Sequence, residues 1–220
     1  MAPATALDRT APIADRAPRV IRGLTAAYPE ARVALRFTNP LECLVATILS
    51  AQCTDEKVNE VTVALFAKYH TAAEYLAVSE DELRADVKPT GFFNQKAASI
   101  RAACTRIVEV YGGDVPGTME DLLTLRGVAR KTANVVLGNA FGVVEGIAVD
   151  THVKRLANRI GFSASEDPVQ IEKDLMTLVP RRRWFGFTYV LIEHGRAICG
   201  AKKPRCAECP IERLCPSSQA

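Results

Sequence analysis

Residues Leu125 to Ala133 read LRGVARKTA. This stretch predicts two helices joined by a tight turn at Gly127, the first ending at Leu125 and the second starting near Arg130. Three basic side chains border the turn: Arg126, Arg130 and Lys131. Unpaired N–H groups and the dipole at a helix start favour an anion, so a phosphate would fit here. From spacing alone, an ordinary hairpin with a solvated basic face is an equal alternative.

Outward from this stretch, the chain is a succession of helical patterns with short connections. Thr71-x-x-Glu74 and Ser79-x-x-Glu82 are capping-box patterns that predict two short helices. The spacing of apolar residues predicts further helices over 18–28, 41–51, 55–69, 94–111, 118–125, 130–141, 151–160, 168–179 and 184–198. We expect Asn94 to cap the longest of them and Gly112-Gly113 to end it. No segment alternates with period two, so the sequence predicts an all-α protein.

Composition limits the function less than the motifs do. The 28 Lys and Arg residues against 25 Asp and Glu give a net charge of +3, which is too small to indicate a nucleic-acid partner. Residues 1–17 lack the apolar core of a secretory signal, and their Ala, Pro and charged residues predict a disordered leader. No stretch approaches the roughly 18 uncharged apolar residues of a membrane span. We therefore expect a soluble, cytoplasmic protein with no membrane partner.

The seven cysteines fall into two groups. Cys43, Cys53 and Cys104 lie in apolar helical patterns, which predicts core positions. The others have the spacing C-x6-C-x2-C-x5-C near the end of the chain: Cys199, Cys206, Cys209 and Cys215. In a reducing compartment such a cluster indicates metal ligands rather than disulfides. The spacing favours iron–sulfur over zinc only weakly, because it contains one C-x2-C knuckle instead of two.

Three segments together resemble the endonuclease III family, and the resemblance covers about residues 18–215. Leu125–Ala133 resembles its helix-hairpin-helix motif, usually L-P-G-V-G-R-K-T-A, with Arg126 in place of Pro and Ala129 in place of the second Gly. Val149–His152 resembles its V-D-T-H segment, and the cysteine spacing is that of its 4Fe–4S cluster. If Ala129 needs a positive φ, alanine costs about 1–2 kcal/mol there. Arg126 is expected to compensate by contacting a phosphate directly.

The resemblance implies two helical lobes with a DNA-binding cleft between them. Residues 37–145 would form a six-helix lobe that contains the hairpin. Residues 18–36 would form an N-terminal helix that joins residues 146–220 in a lobe holding the 4Fe–4S cluster. The expected partner is double-stranded DNA with damaged pyrimidines or abasic sites, bound by a monomer and placing the protein at the nucleoid.

The resemblance also implies a bifunctional DNA glycosylase and abasic-site lyase of base excision repair. Lys131 would attack C1′ of an oxidised pyrimidine nucleotide, release the base, form a Schiff base and cleave the strand 3′ to the site by β-elimination. An amine attacks only when unprotonated, and both the helix start and Arg130 oppose the ammonium form. Asp150 would stabilise the oxocarbenium-like transition state. An aspartate before a helix is also a common N-cap, and both roles can hold together.

The family's DNA contacts map onto three further regions. Gln52 would pair with the base left opposite the flipped nucleotide, Phe92 would wedge into the stack where a leucine is usual, and His152 lies in the third contact loop. The remaining expected contacts are Arg126, Gly127, Ala129 and Arg130 of the hairpin and Lys202, Lys203 and Arg205 of the cysteine loop. For Phe92 and Phe93 the alternative is core packing, which we expect of one of them.

Three other kinds of protein share parts of this pattern. A related adenine mismatch glycosylase usually lacks a lysine at the position of Lys131. A DNA-binding paralogue without catalysis would explain the departures at Arg126 and Ala129. An electron-transfer iron–sulfur protein would have no use for the basic hairpin.

Overall fold

The computed structural model describes residues 7–220, and all regular secondary structure in this range is helical. The α-helices are α1 (Ile13–Ala27), α2 (Pro40–Leu49), α3 (Asp55–Lys68), α4 (Ala72–Ala77), α5 (Glu80–Val87), α6 (Phe93–Tyr111), α7 (Met119–Leu122), α8 (Arg130–Val136), α9 (Thr151–Ile160), α10 (Pro168–Leu178) and α11 (Trp184–Ala197). Short 3-10 turns cover Lys88–Thr90, Arg181–Arg183, Cys206–Glu208 and Glu212–Leu214, and a π-helical turn covers Leu137–Phe141. The all-α prediction is confirmed. Within residues 7–220, no helix combines the length and apolarity needed to span a membrane.

The chain folds as two compact units. The helical unit is Val33–Glu145, and the cysteine unit combines the described residues up to Arg32 with Gly146–Ala220. The division therefore falls at Val33, whereas the sequence placed it at residue 37. The helical unit contains six α-helices of six residues or more, together with the four-residue turn α7.

The helical unit is built around α2 and α6, whose apolar faces are buried. Seven of the ten residues of α2 are buried, as its almost wholly apolar sequence predicts. Asn39 caps α2 by accepting a hydrogen bond from the Glu42 amide at 2.9 Å. Both halves of the predicted capping box of Thr71 and Glu74 are present at α4. The capping residues and the apolar pattern in the sequence thus match the observed helix starts and buried faces of α2 and α4.

The start and end of α6 differ in how well the sequence predicts them. Gly112 and Gly113 end the helix with φ values of 65° and 97°, as expected. Asn94 does not cap it, because α6 begins earlier, at Phe93, and Phe92 occupies the N-cap position in a left-handed conformation. A contact with the core fixes this start, since Phe93 packs against buried residues of the helical unit.

In the cysteine unit, α1, α9, α10 and α11 pack around one apolar core. Helix α1 begins at Ile13, so the prediction that residues 1–17 form a disordered leader is wrong for 13–17; residues 1–6 lie outside the described range. The reason is a long-range contact: Arg16 is only 5% exposed, and its guanidinium donates to the carbonyls of Ile160 and Leu214. Composition does not reveal such a contact.

Candidate nucleic-acid interface

The hairpin turn requires glycine at the first glycine position of the family motif, Gly127, but not at the second, Ala129. Gly127 has φ +84°, and a Cβ there would lie 2.9 Å from Cβ of Ser99. Both the backbone conformation and the space require glycine. Ala129 has φ −94° and forms the N-cap of α8 in extended backbone. The strain considered for Ala129 is therefore absent, because this position does not use the left-handed region.

Lys131 is the second residue of α8, and its side chain is exposed. The next turn of the helix is anchored by Ala133 and Val136, both fully buried. Arg126 is also exposed, while Arg130 is partly buried. The helix before the turn ends at Leu122, three residues before the predicted end at Leu125. The structure thus presents the Lys131 amine at the start of a buried helix, immediately after the hairpin.

Gln52 and Phe92 share an unusual backbone conformation. They are the two non-glycine residues within 7–220 that have positive φ, 51° and 48° respectively. Phe92 is 59% exposed, whereas Phe93 packs against the core, so one of the two phenylalanines does pack inside, as expected. Gln52, Phe92 and Gly127 line a single concavity of the helical unit. Strained backbone of this kind is concentrated at functional sites.

Lys96 belongs to the same concavity and is not among the site residues expected from the sequence. It is 4% exposed, and its Nζ donates to the carbonyl oxygens of Leu49 at 2.7 Å and Thr90 at 2.8 Å. Burial lowers the pKa of this amine. A signal was present: Lys96 continues the apolar stripe formed by Ile100 and Ala103 at helical spacing.

Asp150 caps α9 in the cysteine unit, where its Oδ1 accepts a hydrogen bond from the Val153 amide at 2.8 Å. The carboxylate is only partly buried, so capping fixes its orientation without enclosing it. His152 is also partly buried, and its Nδ1 lies 3.2 Å from a guanidinium nitrogen of Arg155. Gly195 makes room for this ring, since a Cβ there would lie 2.8 Å from Nδ1.

The four clustered cysteines line one pocket of the cysteine unit. All seven cysteines of the chain are free thiols. Burial raises the pKa of Cys209 to about 11 and also raises that of Cys215, so uncompensated thiolates are disfavoured here. Among residues 7–220, no three His, Cys, Asp or Glu side chains are placed to hold a single metal ion. Cys43 and Cys104 are buried in the core of the helical unit, as expected.

Arginines from α1 and α9 attach the cysteine-bearing tail to the rest of its unit. Arg159 donates to the carbonyls of Gly200 and Ala201, both at 2.8 Å, and lies 3.3 Å from Sγ of Cys199. Arg155 also donates to the Cys199 carbonyl, at 3.1 Å. These contacts place positive charge beside the cysteine pocket, and no local sequence pattern marks either arginine.

The basic loop between Cys199 and Cys206 is only partly available to a ligand. Lys202 and Lys203 are exposed. Arg205 donates to the Ala197 carbonyl and pairs with Glu208 at 3.2 Å. The side chain of Arg205 therefore contributes to the loop's own structure, and the two lysines are the stronger candidates for phosphate contacts.

Comparison with known proteins places these features in a family. A family model described as HhH-GPD superfamily base excision DNA repair protein matches residues 45–181. Endonuclease III of a Synechocystis species is 52% identical over 93% of this chain and 94% of its own length. A solved non-covalent Endonuclease III–DNA complex matches 93% of this chain and 95% of its own, with a TM-score of 0.89 and 40% identity. A trapped Endonuclease III–DNA covalent intermediate matches 93% of this chain and 96% of its own, with the same TM-score and identity. This chain belongs to the endonuclease III family of HhH-GPD base excision DNA repair proteins.

Proposed function

We propose that this protein is a DNA glycosylase and abasic-site lyase that removes oxidised pyrimidines during base excision repair. The observation that carries the proposal is the exposed Lys131 amine at the start of α8, directly behind the Gly127 turn. It occupies this position in a chain that matches, over nine-tenths of its length, a solved endonuclease whose DNA adduct has been trapped. An exposed amine on a rigid helix can reach a flipped nucleotide, which an amine held inside the fold cannot do.

In the proposed reaction, Lys131 supplies the nucleophile and no external cofactor is consumed. Nζ, as a free amine, bonds to C1′ of the nucleotide while the N-glycosidic bond breaks and the base takes up a proton. Ring opening gives a Schiff base between Nζ and C1′. Loss of a proton from C2′ then breaks the C3′–O bond, which releases the downstream strand with a 5′-phosphate and leaves the unsaturated sugar, still joined to Nζ, on the upstream strand. Water finally hydrolyses the Schiff base and restores the lysine.

Asp150 is proposed to act on charge that develops at the sugar. Its Oδ1 is occupied by the Val153 amide, and the partly exposed carboxylate retains a second oxygen for the substrate. A carboxylate near C1′ stabilises positive charge as the base departs. The N-cap and the catalytic role therefore use different oxygens of one side chain.

The remaining proposed contacts are of two kinds, those to bases and those to phosphates. Gln52 and Phe92 contact bases, because an amide can pair with an orphaned base and an exposed aromatic ring can stack. Arg126, Arg130 and the N–H groups around Gly127 and Ala129 contact phosphates. Lys202, Lys203, Arg205 and His152 complete the proposed DNA contacts, with the structure favouring the two lysines over Arg205.

The four cysteines Cys199, Cys206, Cys209 and Cys215 are proposed to hold a 4Fe–4S cluster. The four thiols line one pocket, and four cysteine thiolates are the usual ligands of a 4Fe–4S cluster. Arg159 offsets the negative charge of the thiolates. When bound, the cluster supplies iron–sulfur bonds that cross-link the tail.

Strand incision tests the proposed activity. Duplex DNA containing either thymine glycol or a pre-formed abasic site is incubated with the protein, and cleavage is followed on a denaturing gel. Both substrates are expected to be cut, and Lys131→Ala is expected to cut both at a rate at least about a thousandfold lower. The matched control is Lys173→Ala, an exposed lysine of α10, which retains full activity. Intact substrates at high wild-type protein concentration would contradict the proposal.

Visible absorbance tests the proposed cluster separately. Cys206→Ser is expected to abolish the iron–sulfur absorbance of the purified protein, whereas Cys53→Ser, a cysteine of the helical unit, retains it. Zinc without iron in the wild-type protein by metal analysis would contradict the cluster and leave the glycosylase proposal standing.

A further inference from the structure

Two loops of the helical unit adopt left-handed backbone at residues other than glycine. Gln52 follows the end of α2, and Phe92 follows the 3-10 turn Lys88–Thr90. A residue with a Cβ adopts this conformation at a cost, so the surrounding structure must hold it in place. Both side chains are exposed, and therefore no burial of Gln52 or Phe92 themselves provides that hold.

The Lys96 amine connects the ends of the two elements that precede these loops. It donates to the carbonyl of Leu49, the last residue of α2, at 2.7 Å, and to the carbonyl of Thr90, the last residue of the 3-10 turn, at 2.8 Å. Carbonyls at helix ends have no donor within their own helix, and both bonds are buried. Hydrogen bonds from an ammonium group are stronger than those between neutral groups.

Each carbonyl that Lys96 contacts lies a few residues before one of the two residues with left-handed backbone. Gln52 is three residues beyond the carbonyl of Leu49, and Phe92 is two residues beyond the carbonyl of Thr90. One side chain therefore sets the distance between the starting points of both loops. Its own backbone lies in the first turn of α6, which is packed into the core through Ala97 and Ile100.

We infer that Lys96 is a positioning residue that holds the Gln52 and Phe92 loops at one fixed separation, so that both side chains enter the DNA together. This inference rests on the proposed function, because it assigns Gln52 and Phe92 to DNA. Lys96 does not itself contact DNA in this account: it is 4% exposed and its amine is engaged by two carbonyls. A neutral apolar side chain in its place would leave those two buried carbonyls without a donor.

A double-mutant cycle on base release tests the inference. Single-turnover release of thymine glycol is measured for Lys96→Met in two backgrounds, the wild-type protein and the variant that carries both Gln52→Ala and Phe92→Ala. Lys96→Met is expected to slow release by about tenfold or more in the wild-type background. In the background without Gln52 and Phe92 it is expected to slow release by less than about twofold, because a positioning residue has nothing left to position. Lys57→Met, a partly exposed lysine of the same unit paired with Glu60, is the control and retains the wild-type rate.

A residue that only stabilises the fold would give a different pattern. Equal losses in the two backgrounds would overturn the inference, and so would an unchanged rate for Lys96→Met in the wild-type background. If Lys96→Met does not fold, Lys96→Gln is used, since its amide still donates to one carbonyl. Lys96→Gln is expected to slow base release less than Lys96→Met, and again only in the background that retains Gln52 and Phe92. An active enzyme in which the Gln52 and Phe92 changes have no effect also overturns the inference. Failure of the proposed function looks different, because the wild-type protein itself then releases no base.

Discussion

The helical unit and the cysteine-bearing tail, residues 198–215, are held together by different forces. The helical unit has a continuous apolar core, with residues such as Ile100 and Leu122 fully buried. The tail has only short 3-10 turns, and arginine-to-carbonyl hydrogen bonds attach it to α9. Burial therefore fixes the elements that carry Lys131 and the strained loops. The tail places one buried side chain, Ile211, in the core of its unit and relies otherwise on polar contacts and on its proposed cluster. Substitutions in the helical unit should therefore cause larger losses of stability than substitutions in the tail, whose effects should stay local.

The largest effect is expected in the core of the helical unit. Ile100→Ala removes a fully buried side chain of α6 and should lower the free energy of unfolding by about 2–5 kcal/mol. Val110→Ala on the same helix, where the side chain is 53% exposed, should change it by less than about 0.5 kcal/mol. Urea denaturation followed by circular dichroism measures both. Similar losses for the two variants would show that burial does not dominate in this unit.

A smaller and more local effect is expected in the tail. Arg159→Gln removes the bonds to the Gly200 and Ala201 carbonyls and should destabilise the tail by about 1.5–3 kcal/mol. Hydrogen exchange with mass spectrometry should show faster exchange in residues 198–215, with α6 unchanged. Arg213→Gln, an exposed arginine of the tail, serves as the control and should leave exchange as in the wild type. Exchange that rises equally in α6 would mean that the tail is not a separate, weakly held region.

The smallest effect is expected at the two glycine positions of the hairpin motif, Gly127 and Ala129. Gly127→Ala forces a side chain into left-handed backbone at a cost of about 1–2 kcal/mol, in addition to the contact with Ser99. Ala129→Gly restores the usual family residue, yet it should change DNA affinity by less than about twofold, because φ at Ala129 is already −94°. Fluorescence anisotropy with labelled duplex measures the affinity. A large gain for Ala129→Gly would show that the DNA-bound hairpin uses a conformation different from this one.

Features governed by local signals could be predicted from the sequence. The capping box at Thr71, the stop at Gly112 and the core placement of Cys43 follow from patterns within a few residues. The turn at Gly127 could also be placed, although its need for space beside Ser99 could not.

Features that depend on partners far along the chain could not be predicted. Lys96 bonds to a carbonyl 47 residues away, and Arg159 bonds to one 41 residues away. The early start of α1 depends on Arg16 and the Leu214 carbonyl, which are 198 residues apart. A basic side chain in a helical pattern is predicted to be solvent-exposed, because the sequence does not show the buried carbonyls that it contacts.

Borohydride trapping shows whether Lys131 is the nucleophile, because reduction fixes a Schiff base as a stable covalent adduct. The protein is mixed with thymine glycol duplex and borohydride, and a covalent protein–DNA band is sought for the wild type, Lys131→Ala and Lys96→Met. We expect a band for the wild type, a slower-forming band for Lys96→Met and none for Lys131→Ala, with the adduct mapped to Lys131 by mass spectrometry. A band of undiminished intensity in Lys131→Ala, or an adduct on another lysine, would contradict this role of Lys131.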